Sequence, residues 1–112
     1  MEARISNYKE FFLFYLNEHS KRITRLFHYV GTTFALVCIA LFITTFNGLY
    51  LLAGLVGAYG LAWTSHFFIE HNKPATFTYP LWSYIADHHM LALAVTGRLQ
   101  PVLDKAQTKY AA

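Results

Sequence analysis

The fold is decided by the stretch between Arg25 and Glu70, which reads LFHYVGTTFALVCIALFITTFNGLYLLAGLVGAYGLAWTSHFFI. These 44 residues include no Lys, Arg, Asp or Glu. A helix that crosses a bilayer needs about 20 apolar residues, so the stretch is long enough to cross twice. Asn47-Gly48 stands near its middle and is a strong turn signal. The sequence therefore predicts a hairpin of two transmembrane helices.

The predicted fold is all-α, with the hairpin and its flanking amphipathic helices forming one membrane-embedded domain over residues 1–112. The first helix is amphipathic and interfacial, because apolar residues recur along it at steps of three and four. The segment that contains Asp87 reads as a half-buried helix rather than a third span, and the tail from Asp104 as a frayed end or a short surface helix. The four predicted helices run from about Arg4 to Leu16, from Lys21 (with Ser20 as N-cap) to about Phe46, from about Leu49 to Glu70 or Asn72, and from Pro80 to about Gly97.

Charge gives the expected orientation in the lipid bilayer. Lys21, Arg22 and Arg25 precede the hairpin and Lys73 follows it, whereas the turn carries no charge. The positive-inside rule then places both termini in the cytoplasm, in a bacterial inner membrane or an endoplasmic reticulum membrane. The net charge of +3 is modest, and the basic residues flank apolar segments instead of lining a groove. A membrane surface explains them better than nucleic acid does.

Two of the six histidines are predicted to meet across the hairpin. His28 lies nineteen residues before Asn47, and His66 lies eighteen residues after Gly48. At about 1.5 Å per residue, both histidines stand roughly 28 Å from the turn and are level with each other. Small residues at helical spacing share the face of each histidine, as close helix packing in lipid requires, and they are Gly31, Ala35, Cys38, Ala58 and Ala62.

This convergence predicts a metal site at the cytoplasmic end of the hairpin. A buried imidazole is costly unless it is paired or ligated, and Glu70 follows His66 by one turn on a similar face. His19 can join His28 and His66 if the chain bends at Ser20. Three histidines, with Glu70 as a further ligand, form a donor set suited to Fe(II), Zn(II) or Mn(II). Taken singly, each histidine is also explained by a headgroup contact or a satisfied hydrogen bond.

Four sequence motifs and one acidic residue resemble a family of small membrane proteins that includes an Fe(II)-dependent 2-hydroxy fatty acid dioxygenase. The resemblance covers about Tyr8 to Leu99. Thr24 and His71 depart from the family pattern, in which an asparagine and a basic residue are expected. The matching segments are FYLNEH at 14–19, TRLFHYVG at 24–31, SHFFIEHNKPATF at 65–77, YPLWS at 79–83, and Asp87.

The resemblance implies a reaction and a set of site residues. The reaction is α-oxidation of a 2-hydroxy fatty acid by O2, with loss of one carbon and with Fe(II) as cofactor. His19, His28 and His66 fall on the histidine positions of the family, and Glu70 and Asp87 on its acidic positions. We expect the histidines and Glu70 to hold the iron, and Asp87 to orient a ligand histidine.

Two other functions fit parts of the sequence. A membrane di-iron lipid hydroxylase needs about eight histidines in paired boxes, and the spacing from His66 to His71 does not form such a box. A non-enzymatic membrane metal-binding or assembly protein would use the same histidines without turnover.

Overall fold

The computed structural model describes residues 5–111, and within them the chain is all-α with no strand. The all-α prediction is therefore confirmed. A π-helical turn at His66–Glu70 continues α3, and a short 3-10 turn lies at Ala75–Phe77. The α-helices are α1 (Tyr8–Asn17), α2 (Arg22–Thr45), α3 (Leu49–Ser65), α4 (Pro80–Val95) and α5 (Leu99–Lys109).

The described chain divides into two compact units. The hairpin unit runs from Lys21 to Pro74 and contains α2, α3 and the π-helical turn. The three-helix unit contains α1, α4 and α5 and is formed by the residues up to Ser20 together with those from Ala75 onward.

The turn of the hairpin unit is built as the sequence predicts. Phe46 adopts a left-handed conformation (φ 55°) and ends α2, with its N–H donating to the carbonyl of Phe42 at 2.6 Å. Asn47 then accepts the N–H of Leu49 through Oδ1 at 3.0 Å, which satisfies one of the unpaired donors at the start of α3. Two helices of transmembrane length therefore leave the turn antiparallel.

Small residues let the two hairpin helices approach closely. A Cβ atom placed on Gly31 would lie 3.2 Å from the carbonyl oxygen of Ala58, and one placed on Gly54 would lie 3.0 Å from the Cβ of Cys38. These distances are at or below the lower end of ordinary carbon contacts. The small-residue faces predicted from the sequence therefore do form the helix interface.

Both hairpin helices are long and apolar enough to cross a membrane, over Arg22–Thr45 and Leu49–Glu70. Only 22% of the residues in the most apolar part of each are buried within the protein. The core helix of a soluble protein would be mostly buried. Most of their large apolar side chains face outward, including Val30, Val37, Ile43, Leu52 and Val56.

The three-helix unit has its own core, centred on α1. Phe11, Leu16 and Tyr15 of α1 are almost completely buried, together with Met90 of α4 and Ala106 of α5. Five consecutive or nearly consecutive residues of α1 are buried, so its apolar face is wider than the single stripe predicted from the sequence. The predicted start of this helix at Arg4 lies outside the described residues.

Two sequence predictions are corrected by the structure. Ser20 is not the N-cap of α2, because that helix begins at Arg22 with Lys21 as its cap. The chain also has five α-helices in its described part instead of about four. α4 ends at Val95 with Thr96 as its C-cap, and Gly97 follows in a left-handed conformation with φ +74°. The chain then resumes as α5, with Pro101 in the first turn, where a missing N–H has no cost. Leu103 and Ala106 then anchor α5 in the core.

Candidate metal centre

His28 and His66 face each other in the hairpin unit, as the register count from the turn predicts. His28 lies in the second turn of α2, and His66 is the first residue of the π-helical turn after α3. Their side chains are 5% and 2% exposed. The ring centroids are 5.2 Å apart and the ring planes are nearly perpendicular, at 83°. Two buried imidazoles in this arrangement can direct nitrogens towards a common ion.

The end of α3 fixes the orientation of His66. The π-helical turn closes at His71, which is left-handed (φ 61°), and the chain then reverses so that the N–H of Asn72 donates to the carbonyl of His66 at 2.9 Å. The same reversal brings Oδ1 of Asn72 to 2.7 Å from Nδ1 of His66. Because Oδ1 is an acceptor, Nδ1 carries the proton. The tautomer with a lone pair on Nε2 is therefore favoured, as in histidines that bind metals.

Glu70 connects the end of the π-helical turn to the start of α2. Its Oε2 accepts the backbone N–H of Lys21 at 2.6 Å, while the Nζ of Lys21 donates to the carbonyl of Ile69 at 2.8 Å. A carboxylate at a helix N-terminus and an ammonium at a helix C-terminus both interact favourably with the helix dipoles. These contacts hold the polar ends of the two hairpin helices together, next to the histidine pair.

His19 lies in the three-helix unit, just beyond the end of α1. Its side chain is completely buried. Its Nδ1 donates to the backbone carbonyl of Tyr15 at 2.6 Å, and its ring stacks on the ring of Tyr15 with centroids 4.0 Å apart. The backbone N–H of His19 donates to the carbonyl of Leu16 and not to that of Tyr15. The His19 side chain therefore supplies the hydrogen bond that the Tyr15 carbonyl would receive from the backbone if the helix continued. Nδ1 is thus the protonated nitrogen here too.

Asp87 lies on α4 and accepts a hydrogen bond from the hydroxyl of Tyr15. The other histidines of the chain are more exposed than His19, His28 and His66. His71 is on the surface, His88 is half-buried against Tyr84, and His89 is half-buried with its Nδ1 2.9 Å from the hydroxyl of Tyr8.

Two residues with contacts to the candidate ligands were missed by sequence reasoning. Tyr15 precedes His19 by four residues, a spacing at which side chains on a helix are neighbours, and this spacing could have drawn attention to it. Asn72 lies within the motif SHFFIEHNKPATF, but the π-helical turn and the left-handed His71 are needed to bring it back to His66. A regular α-helix would have directed it elsewhere.

A comparison with protein-family models matches residues 5–99 to the family described as 2-hydroxy-palmitic acid dioxygenase Mpo1-like. This chain belongs to that family. The Mpo1-like match covers His19, His28, His66, Glu70 and Asp87 and ends at the first residue of α5. It confirms the family resemblance carried by the sequence motifs. No curated protein and no solved structure is significantly similar to the chain.

Proposed function

We propose that this member of the Mpo1-like family is an Fe(II)-dependent dioxygenase that shortens 2-hydroxy fatty acids by one carbon. The observation that carries the proposal is the buried pair of His28 and His66 at the polar end of an apolar hairpin, in a chain of a family described by dioxygenase activity. The description of the family also makes 2-hydroxypalmitic acid the first substrate to test.

The proposed metal ligands are His19, His28 and His66, with Glu70 as a fourth. The three histidines are buried and each can offer one imidazole nitrogen to an ion. Imidazole nitrogens suit Fe(II), and burial without a ligand or partner would be costly for them. Glu70, whose Oε2 accepts the N–H of Lys21, is proposed as the fourth ligand on the family resemblance. Because these ligands come from both units, we further propose that the chain works as a single membrane-embedded domain.

The residues around the proposed ligands support the chemistry by fixing proton positions. Asn72 and the carbonyl of Tyr15 hold protons on Nδ1 of His66 and His19, so that Nε2 of each would be the nitrogen that binds the metal. When bound, Fe(II) supplies a centre at which a 2-hydroxy acid can chelate and O2 can be reduced. One 2-hydroxy acid and one O2 balance to the acid shortened by one carbon, CO2 and water. No separate electron donor such as 2-oxoglutarate is then required.

The exposed apolar surface of the hairpin supports a location in the bilayer. In water, side chains such as Val30, Ile43 and Val56, each more than 60% exposed, would cost free energy, whereas in lipid they are solvated. We propose that the hairpin spans the membrane with both termini in the cytoplasm. His28 and His66 would then lie near the cytoplasmic surface, so that a substrate acyl chain stays in the bilayer while its carboxylate reaches the ligands.

Turnover by the purified protein tests the proposal directly. Iron-loaded protein in detergent is incubated with 2-hydroxypalmitic acid under air and under argon, and products are measured by mass spectrometry. We expect pentadecanoic acid only under air, without added 2-oxoglutarate, and no product from the His19→Ala variant. Palmitic acid without the 2-hydroxyl is the matched control substrate and should remain unchanged.

One outcome would favour the non-enzymatic function instead. If folded, iron-loaded protein consumes neither O2 nor 2-hydroxy acids of any chain length, the dioxygenase proposal is wrong. A membrane metal-binding or assembly protein would then be the better explanation of the buried histidines.

A further inference from the structure

We propose that Tyr15 and Asp87 act together as positioning residues that hold His19 in the orientation needed to bind the metal. The inference rests on the proposed function, because it takes His19 as a ligand. It assigns a role to a tyrosine that lies in the motif FYLNEH but was not among the predicted site residues, and it gives Asp87 an indirect action on the ligand through that tyrosine. All three residues lie in the three-helix unit.

Tyr15 restrains His19 through its backbone. α1 ends at Asn17, and the carbonyl of Tyr15 lies in its last turn, where carbonyls lack the usual helical partner. The Nδ1–H of His19 donates to this carbonyl at 2.6 Å. This bond selects the tautomer of His19 and fixes one axis of its ring. It does not by itself prevent the ring from tilting about that bond.

The Tyr15 side chain supplies the second restraint. Its ring lies on the His19 ring with centroids 4.0 Å apart and planes at 29°. Tyr15 is only 1% exposed, so the rest of the core prevents it from moving away. Two restraints from one residue, a hydrogen bond at the edge and a stacked ring at the face, define both the tautomer and the plane of the imidazole.

Asp87 holds Tyr15 from the neighbouring helix. The Tyr15 hydroxyl donates to Oδ1 of Asp87 on α4, which ties the far end of the ring to a separate element. A hydrogen bond to a carboxylate is about twice as strong as one between neutral groups. The Tyr15 ring is therefore held at its hydroxyl by α4 and at its Cα by α1, and the position of His19 depends on the α1–α4 contact.

The same two helices provide a matched control. The hydroxyl of Tyr8, also on α1, lies 2.9 Å from Nδ1 of His89, also on α4. Burial, with a smaller contribution from the charge of Asp87, raises the pKa of Tyr8 to about 12. Tyr8→Phe removes an interhelical tyrosine hydrogen bond without touching a proposed ligand. Any general effect of loosening α1 from α4 should appear in this variant as well.

Cobalt binding measures the position of the ligand without requiring turnover. Wild type, Tyr15→Phe, Asp87→Leu, Asp87→Asn and Tyr8→Phe are prepared free of metal and titrated with Co(II), whose visible absorption reports ligand geometry. We expect Tyr15→Phe and Asp87→Leu to weaken Co(II) binding by about 10- to 100-fold, the usual effect of losing a residue that orients a ligand, and to shift the visible bands. Asp87→Asn keeps an acceptor for Tyr15 and should restore most of the affinity. Tyr8→Phe should bind Co(II) like the wild type.

The double variant Tyr15→Phe/Asp87→Leu shows whether the two residues act as a unit. If Tyr15 and Asp87 act as a unit, the double variant binds Co(II) about as weakly as either single variant. If they act independently, the losses of Co(II) affinity in the two single variants multiply in the double variant. The inference is overturned if Tyr15→Phe binds as tightly as wild type, or if Tyr8→Phe weakens binding equally. It is also overturned if wild type binds no Co(II), and the proposed function then fails with it. If wild type binds Co(II) and Tyr15→Phe weakens it, but iron-loaded wild type turns over no 2-hydroxy acid, the proposed function fails and this inference stands.

Discussion

Substitution of Gly31 by Ala should destabilise the hairpin, although Ala is the better helix former. The added Cβ would lie 3.2 Å from the carbonyl oxygen and 3.3 Å from the Cα of Ala58. Both atoms belong to the backbone of α3, so no side-chain rotation can relieve the contact. Overpacking of this kind costs about 1–3 kcal/mol, and the helical preference for Ala over Gly returns about 0.5–1 kcal/mol. We expect a net loss of about 1 kcal/mol, and of at most about 2.5 kcal/mol, in the free energy of unfolding.

Gly60→Ala is the control for helix propensity. Gly60 is exposed on α3, and a Cβ there would meet no atom within 4 Å. This variant should gain about 0.5–1 kcal/mol. Gly57→Ala should fall between the two, because the three atoms nearest to its Cβ all belong to the ring of Phe34, which is 43% exposed and can turn aside. The predicted order of stability is therefore Gly60→Ala, Gly57→Ala, then Gly31→Ala.

Unfolding of the detergent-solubilised variants by heat or by SDS measures this order. Gly31 also lies three residues after His28, so pushing the helices apart there should widen the gap to His66 and weaken metal binding. If Gly31→Ala proves as stable as Gly60→Ala and binds metal like wild type, the close helix contact at Ala58 is wrong. The basis for pairing the two histidines would then be lost as well.

The remaining predictions concern the ligands and the topology. His28→Ala and His66→Ala should each lose most of the bound iron, because a three-histidine site rarely survives loss of a ligand. His89→Ala should keep its iron. Metal analysis of protein purified without chelator measures the iron content. Full iron content in folded His28 and His66 variants would contradict the proposed ligand set. Asn47→Cys in a Cys38→Ser background should react with a membrane-impermeant maleimide from outside intact cells. If it is labelled only after the inner face of the membrane is exposed, the turn lies on the cytoplasmic side and the proposed orientation is wrong.

The sequence predicts the hairpin well because bilayer length and turn chemistry leave few alternatives. An uncharged stretch of this length, divided by Asn47-Gly48, fixes two antiparallel helices, and counting outward from the turn then sets the heights of His28 and His66. The structure has both the turn and the facing rings. Helical geometry is regular over this distance, so a count of residues is nearly as informative as coordinates.

Departures from regular helix are what the sequence could not show. The π-helical turn at His66–Glu70 and the left-handed His71 that follows it together return Asn72 to His66. α1 ends at Asn17, close to the predicted end at about Leu16, but the sequence did not show that the imidazole of His19 would replace a missing helical partner of Tyr15 there. Both features depend on which carbonyls find donors at a helix end, and residue periodicity carries no information on that choice.

Helix packing and the candidate ligands share one face of the hairpin, and this has a physical reason. Lipid tails are as apolar as leucine, so two helices in a bilayer gain little from hiding apolar side chains from each other and associate where small residues permit close contact. The face that carries Gly31 and Cys38 on α2 therefore has to be the face that meets Ala58 and Gly54 on α3. His28 continues that face towards the polar end of the hairpin, where it meets His66. A substitution that separates the helices should consequently change metal binding even when it contacts no histidine.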